Sequence, residues 1–356
     1  MINDVYKKDI ELALVAIDDV DLLKGKKILI TGATGLICSY LVDLIMYCNQ
    51  YRDANVQVYA MGRNEAFAKK RFEHYWDLEN FVFIQHDVTD SFDFDYKFNY
   101  IIHGASNATP NSITTDPVGT MNANYFGLYN VLEYSKKNAV EKILYVSSSE
   151  VYGQGNDTGV FKEDYSGYLN ILELRSCYPS SKRASETLCV SYNKQYGLNA
   201  VIARPAFIYG PTFNTTDNRV VPQFLNNVLK GQDIIMKSEG QQMRSYCYVG
   251  DCATAMLKIL FDGKAGEAYN IANKNSNVSI REVAETIAGL ENKKVILDLP
   301  DSKEKASYSV VINSILDSTK LEKLGWEGQY SIGKGLQQTL EILKTYRVGN
   351  NLTEKN

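Results

Sequence analysis

Lys27-Ile-Leu-Ile-Thr31, running into Gly32-Ala-Thr34-Gly35-Leu36-Ile37-Cys38, is the stretch that decides the fold. An apolar, β-branched run that stops at a glycine turn and opens into an amphipathic segment reaching about Cys48 reads as strand, turn and helix. In that order the glycines let the backbone approach a pyrophosphate, and the helix N-terminus offers it free N–H groups and a positive dipole end. The loop therefore predicts a dinucleotide site on Gly32, Thr34, Gly35, Leu36 and Ile37; a tight turn without a ligand is the alternative. Cys38 stands where a third glycine is usual, and is expected to crowd the contact between helix and sheet without touching the phosphate face.

Outward from this unit, apolar β-rich runs at 56–61, 81–86, 100–103, 142–147 and 199–204 alternate with helical patterns. Short buried strands separated by helices imply a parallel sheet covered on both faces, and right-handed crossovers make it a doubly wound α/β fold of Rossmann type. After Arg204 the rhythm loosens into turns, one helix over about 220–230 and short mixed elements, which predicts a smaller mixed α/β C-terminal substrate lobe. The expected organisation is a helical extension at 1–24, a dinucleotide-binding domain at 25–205, a substrate lobe at 206–347 and a polar, frayed tail at 348–356. The boundary near 205 is soft, so later strands can return to the first sheet.

A formal net charge of -4 removes the electrostatic footprint of a phosphate-backbone binder, so nucleic acid is not an expected partner. The six cysteines form no CxxC pair and show no metal-ligand spacing with the three histidines, which points to a reduced, cytoplasmic compartment and no metal. The first 25 residues lack the basic and long apolar regions of a signal peptide. No apolar run approaches the roughly 20 residues that a membrane span needs, and the sequon Asn277-Val-Ser279 is read as a chance match.

Other strand ends extend the site. Ala105 and Ser147 are expected on the cofactor and Ser106 on the substrate. Asp87-Val88 closes the third strand, either as an adenine contact or as an acidic turn. After the second strand the chain reads Met61-Gly62-Arg63-Asn64, without the acid that usually takes the ribose hydroxyls. Arg63 faces a 2'-phosphate, favouring NADP, or is a solvated surface residue.

Tyr178-Pro179-Ser-Ser-Lys182 places a phenol and an ammonium four residues apart on one helix face, with Pro179 suited to the first turn. Tyrosine ionises near pH 10, so service as a base near pH 7 requires a downward shift of about 3 units, which Lys182 and a cationic cofactor ring are expected to supply. Just upstream, Leu144-Tyr-Val146 leads into Ser147-Ser148-Ser149-Glu150, hydroxyls and a carboxylate at the C-terminal end of a central strand, the edge where such sheets bind ligands. Ser148, Ser149, Glu150, Tyr178 and Lys182 form the predicted catalytic set.

The motifs Ser149-Glu150-Val-Tyr-Gly153, Glu163-Asp-Tyr165, Arg175-Ser-Cys-Tyr178, Lys182-Arg183 and Glu186-Thr187, with Asp116-Pro-Val118 and Asn124-Tyr-Phe-Gly127, resemble the extended short-chain dehydrogenase/reductases that act as nucleotide-sugar epimerases, dehydratases and decarboxylases. Over about residues 25–345 the chain is most similar to UDP-glucuronate decarboxylases. The resemblance implies a tightly bound NAD(P), with NAD usual in that branch, a nucleotide-sugar substrate and a homodimer joined through helices over 120–137 and 179–196. It further implies that Ser148 holds the sugar 4-hydroxyl, Tyr178 deprotonates it, and Lys182 tunes Tyr178 and grips the nicotinamide ribose.

Once carbon 4 is a ketone, the carbon 5 hydrogen is acidic and a carbon 6 carboxylate is a β-keto acid. Glu150, which simple 4-epimerases do not require, implies work at carbon 5 or 6, by removing the carbon 5 proton or by ordering water. Ser149 stands where glucose-type 4,6-dehydratases carry an aspartic acid, which favours decarboxylation; mannose-type dehydratases share the hydroxyl-then-Glu pattern and NADP, and are the alternative. Arg244 meets the substrate or is a surface salt bridge. Phe207 replaces an asparagine that touches the sugar nucleotide, and Asn218-Arg219 carries phosphate contact or only caps a helix. An NADPH-dependent ketone or sugar reductase that releases its cofactor each turnover, and a non-catalytic dinucleotide sensor, are the readings from other classes.

Overall fold

The structure, a computed structural model, describes residues 3–17, 20–155, 159–214, 217–299 and 313–353. Its strands in chain order are β1 (Lys27–Thr31), β2 (Gln57–Gly62), β3 (Phe81–Gln85), β4 (Tyr100–His103), β5 (Lys142–Val146), β6 (Val160–Phe161), β7 (Ala200–Pro205), β8 (Phe207–Tyr209), β9 (Ile234–Met236), β10 (Met243–Tyr248), β11 (Ala268–Ile271), β12 (Asn277–Ser279), β13 (Val295–Leu297) and β14 (Asn313–Leu316). The helices are α1 (Asp4–Ala13), α2 (Leu36–Tyr51), α3 (Glu65–Arg71), α4 (Pro110–Thr115), α5 (Pro117–Asn138), α6 (Cys177–Tyr196), α7 (Val220–Leu229), α8 (Val249–Asp262), α9 (Ile280–Leu290), α10 (Thr319–Glu322) and α11 (Ile332–Thr353).

The six expected strands form one parallel sheet, joined at its edge by β11, in the order β11-β7-β5-β4-β1-β2-β3. Their side chains are apolar on both faces because helices cover both: α2 and α8 on one, α5 and α6 on the other. Chain order reverses between β1 and β4, so successive crossovers leave on opposite faces and a crevice opens at the strands' C-terminal ends. The expected substrate lobe, 206–347, thus supplies β11 and α8 to the dinucleotide layer. Its remaining strands, joined by β6 from the first segment, make a mixed sheet, β12-β10-β14-β6 with β8 beside β10, and a parallel pair, β13-β9. Residues 348–353, expected as a frayed tail, continue α11; residues 354–356 lie outside the described residues.

The N-terminal segment is structural in a way that composition does not reveal. Asp9 on α1 is buried, and its carboxylate accepts hydrogen bonds from Tyr40 of α2 (2.8 Å), Tyr248 of β10 (2.9 Å) and Tyr330 before α11 (3.1 Å). Beside it Asp43 of α2 takes the Tyr6 hydroxyl (2.7 Å) and the Arg71 guanidinium of α3. One short helix therefore ties the dinucleotide layer to the C-terminal elements through polar groups that cannot be left unpaired.

Burial raises the Asp9 carboxyl to about 6, against the opposing pull of its three tyrosine donors. A folded value above the ordinary 3.8 means that this group favours the fold fully below about pH 4, and that its contribution is lost as pH rises through 6. Calorimetric melting of wild type and Asp9→Asn from pH 4 to 7 is expected to show the variant gaining relative to wild type as pH rises. A pH-independent difference would contradict this. Asp9→Ala, which strands three phenols, is expected to lose about 3 kcal/mol or more.

Candidate active site

A cavity of about 850 Å³ runs along the C-terminal edge of the sheet, between the dinucleotide layer and α7, β8 and β10. Gly32, which follows β1, has φ +66°, and a Cβ there would lie 2.8 Å from the Ala105 backbone beyond β4. Only glycine fits, because it alone lacks the atom that would collide and the penalty for that conformation. Gly35 precedes α2 with no side-chain cap, so the first-turn N–H groups of α2 remain available beside Gly32, Thr34, Gly35, Leu36 and Ile37, all on the cavity wall. This cradle fits the pyrophosphate of a dinucleotide. Cys38 packs where a Cβ on Gly104 would lie 2.4 Å from its sulfur, at the contact between helix and sheet, and it also lines the cavity.

At the far end of the crevice, Arg63 and Asp87 stand together on the wall, Nη1 3.8 Å from Oδ2, and Arg63 also donates to Asn107 (3.2 Å). Burial pushes the Asp87 carboxyl upward, but hydrogen bonds from Thr89 (3.0 and 2.8 Å) and the Arg63 charge outweigh it and hold the carboxyl below its ordinary value. Val88 lies beside it, its carbonyl held by Asn130 (2.9 Å). An acid is therefore present at this end, supplied by β3 rather than β2.

The middle of the cavity gathers the predicted catalytic set. Ser147, Ser148, Ser149 and Glu150 follow β5; Tyr178 and Lys182 occupy the first turns of α6; all line the cavity. Helix α6 is held against α5 by Asn124, whose side chain receives the Ser106 hydroxyl (2.7 Å) and donates to Ser181 (2.9 Å). Ser181 in turn donates to the Cys177 carbonyl (2.7 Å), so Ser106 is coupled to the turn that carries Tyr178. Lys182 is 2% exposed and donates to the Val146 carbonyl at the end of β5 (2.8 Å). Ser148 accepts from the Glu150 N–H (3.2 Å) and lies beside the Tyr178 phenol, whose ionisation it favours.

The electrostatics differ from the expected tuning. Burial raises Tyr178 to about 12, the Glu150 charge adds to that, and Ser148, Arg219 and Arg175 only partly oppose it. Lys182 is itself lowered by burial to about 7, and its ammonium lies 5.8 Å from the Tyr178 ring, aimed at the strand end. The protein alone thus holds a protonated phenol, because desolvating a phenolate costs more than these cations return.

Glu150 is bound on both oxygens by Arg175 (2.7 and 2.9 Å), three residues before Tyr178. Arg175 was visible only as part of a motif, without a partner, since sequence spacing does not bring residue 175 to residue 150. At the lobe side, Arg219 lines the cavity with its guanidinium spent on Asp217 (Nε to both oxygens, 3.0 Å), and its side chain does not cap α7. Asp217 is a second wall residue that sequence reasoning passed over. Arg244 of β10 stacks on Phe207 of β8, 5.4 Å from the ring centre, and donates to the Met243 carbonyl (3.0 Å). The aromatic face that replaces the family's asparagine is thus a platform for Arg244.

UDP-glucuronic acid decarboxylase 3 of Arabidopsis thaliana is 33% identical to this chain over 87% of it and 86% of that protein. UDP-glucuronic acid decarboxylase 1 of Danio rerio is 30% identical over 89% and 72%. Among solved structures, a dTDP-glucose 4,6-dehydratase from Streptomyces venezuelae with NAD bound superposes with a TM-score of 0.76 at 23% identity, covering 90% of this chain and 98% of that one, which shows a shared fold. Residues 28–272 match the model of the NAD dependent epimerase/dehydratase family, and the chain belongs to that family.

Proposed function

We propose that the chain is an NAD(P)-dependent UDP-glucuronate decarboxylase. The convergence of Ser148, Tyr178 and Lys182 on the cavity beside the Gly32 cradle carries the reading, and the similarity to UDP-glucuronic acid decarboxylases supports it. A cofactor held by the Gly32 turn and the N-terminus of α2 would supply reversible hydride transfer at carbon 4, and its oxidised ring would add a positive charge that offsets the burial of Tyr178. Ser148 orients the 4-hydroxyl and Tyr178 takes its proton. The resulting 4-ketone makes the carbon 6 carboxylate a β-keto acid, which loses carbon dioxide and leaves an enolate to be protonated at carbon 5. Glu150, held by Arg175, orders that proton delivery, and Arg244 takes up substrate charge.

The absence of an acid at Ser149 separates this scheme from glucose-type dehydration. Mannose-type dehydration is the second reading, favoured by the Ser149-Glu150 pair. Products from UDP-glucuronate and GDP-mannose, read by mass, decide between them: a loss of 44 units is expected, whereas a loss of 18 or an unchanged mass overturns decarboxylation. Tyr178→Phe is expected to lower kcat by about 10²–10⁴-fold with the fold intact by circular dichroism; wild-type turnover by that variant would remove the phenol from the scheme.

The cofactor in this reading is NAD. A 2'-phosphate near Arg63 would also meet Asp87, whereas ribose hydroxyls can donate to that carboxylate. Fluorescence titration is expected to give tighter binding of NAD than NADP, with Asp87→Asn narrowing the gap. An unchanged ratio would argue against Asp87 as the discriminating group.

The same reading includes a cytoplasmic homodimer. Val118, Met121, Tyr125 and Tyr129 are exposed along α5 at helical spacing, an apolar stripe suited to a partner. All six cysteines are free, as in a reducing compartment. Among the described residues, no helix is long and apolar enough to cross a membrane. Tyr125→Glu is expected to convert a dimer to a monomer in light scattering; a dimer that persists places the interface elsewhere.

A further inference from the structure

Behind the catalytic pair lies a buried ion pair that the reaction scheme above does not use. Glu186 sits one helical turn after Lys182 on α6, and its Oε1 accepts the Ser147 hydroxyl (2.6 Å) and Arg204 Nε (2.9 Å). Its Oε2 accepts Arg204 Nη2 (2.6 Å), so the carboxylate is clamped on both oxygens between the end of β5 and β7. Arg204 is fixed in turn by the Tyr152 hydroxyl (2.9 Å) and the Glu163 carbonyl (2.8 Å), and Tyr152 by Asn270 (2.6 Å). Both ends of the pair are about nine-tenths buried, so neither is an exposed ion pair held only by screened attraction. A buried pair of this kind gains little stability over apolar replacement, which directs attention to what its geometry fixes.

We propose that Glu186 is a positioning residue for the proton-transfer chemistry: clamped by Arg204, it fixes the Ser147 strand end and sets the carboxylate that faces the Lys182 ammonium from the next turn of α6. The proposal rests on the Tyr178/Lys182 reading given above.

The surroundings of Lys182 leave this task to Glu186. Lys182 faces Tyr178 on its own helix, Tyr145 on β5, His103 on β4 and Cys38 on α2. Burial keeps Tyr145 and Cys38 protonated at neutral pH and pushes His103 down to about 3, so these three are uncharged. Around Glu186 stand Arg204 of β7, and Arg183 and Cys189 of α6, the thiol again raised by burial. The carboxylate in this group is therefore Glu186, and it opposes the burial that brings Lys182 to about 7. Arg204 limits how much of that negative charge Lys182 receives.

The test reads Lys182 directly. Its side-chain nitrogen signal in the full chain, assigned by loss of the peak in Lys182→Arg, is titrated by NMR alongside the pH dependence of kcat. Glu186→Gln is expected to move the Lys182 midpoint and the alkaline limb of kcat down together by about one pH unit. Should that variant not fold, Glu186→Gln with Arg204→Met removes both charges at similar volume and is expected to move both midpoints down together, by less than the single variant because the opposing Arg204 charge is lost as well. A lower kcat with both midpoints unmoved would reduce Glu186 to a packing role and overturn the proposal. Because the titration needs no turnover, it stands apart from the fate of the decarboxylase reading, which Tyr178→Phe and the product masses decide.

Discussion

The structure depends on how closely the turn after β1 can approach the start of the loop after β4. Gly32 lies against the Ala105 backbone at a distance that leaves no room for a Cβ, and this contact sits where the strand order reverses. Because β1 and β4 are neighbours while their crossovers leave on opposite faces, the crevice above them cannot be filled by a connecting helix. The uncapped N-terminus of α2 borders that crevice from one side and the Tyr178 turn of α6 from the other. The residues read as holding cofactor and substrate line the space that this contact keeps open.

Within that space charge is managed by pairing rather than by exposure. Glu150 is met by Arg175, Asp217 by Arg219 and Asp87 by Arg63, and behind the cavity Glu186 is met by Arg204. Tyr178 and Lys182 are the exceptions, both displaced by burial toward their neutral forms. The arrangement lines the cavity with guanidinium donors of the kind that bind carboxylates and phosphates. It also couples the two lobes: Arg219 and Arg244 come from the C-terminal elements, whereas Arg175 belongs to the segment leading into α6.

How far a line of residues can be read depends on how local the physics is. The alternation of apolar strands with helices, the glycine turn, the helical spacing of Tyr178 and Lys182 and the hydroxyls after β5 are set by neighbours within a few residues, and each was legible from 27–38, 142–150 and 178–182. The mixed C-terminal lobe was legible as a loss of that rhythm. The return of β11 to the main sheet was left open by the soft boundary, since an edge strand of four residues carries no mark of which sheet it will join. Residues 348–353, read from composition as a polar tail, continue α11.

The amino-acid order by itself determined a doubly wound sheet, a dinucleotide loop and a phenol–ammonium pair, because strand and helix periodicity and turn chemistry act over short spans. Only the tertiary structure decided that Arg175 binds Glu150, that Arg204 clamps Glu186 to Ser147, that Phe207 carries Arg244, and that Asp9 joins three tyrosines from distant elements. Those contacts span 18 to 321 residues. They also decided the protonation of Tyr178, because desolvation is a property of the packed interior, which no local pattern of residues specifies.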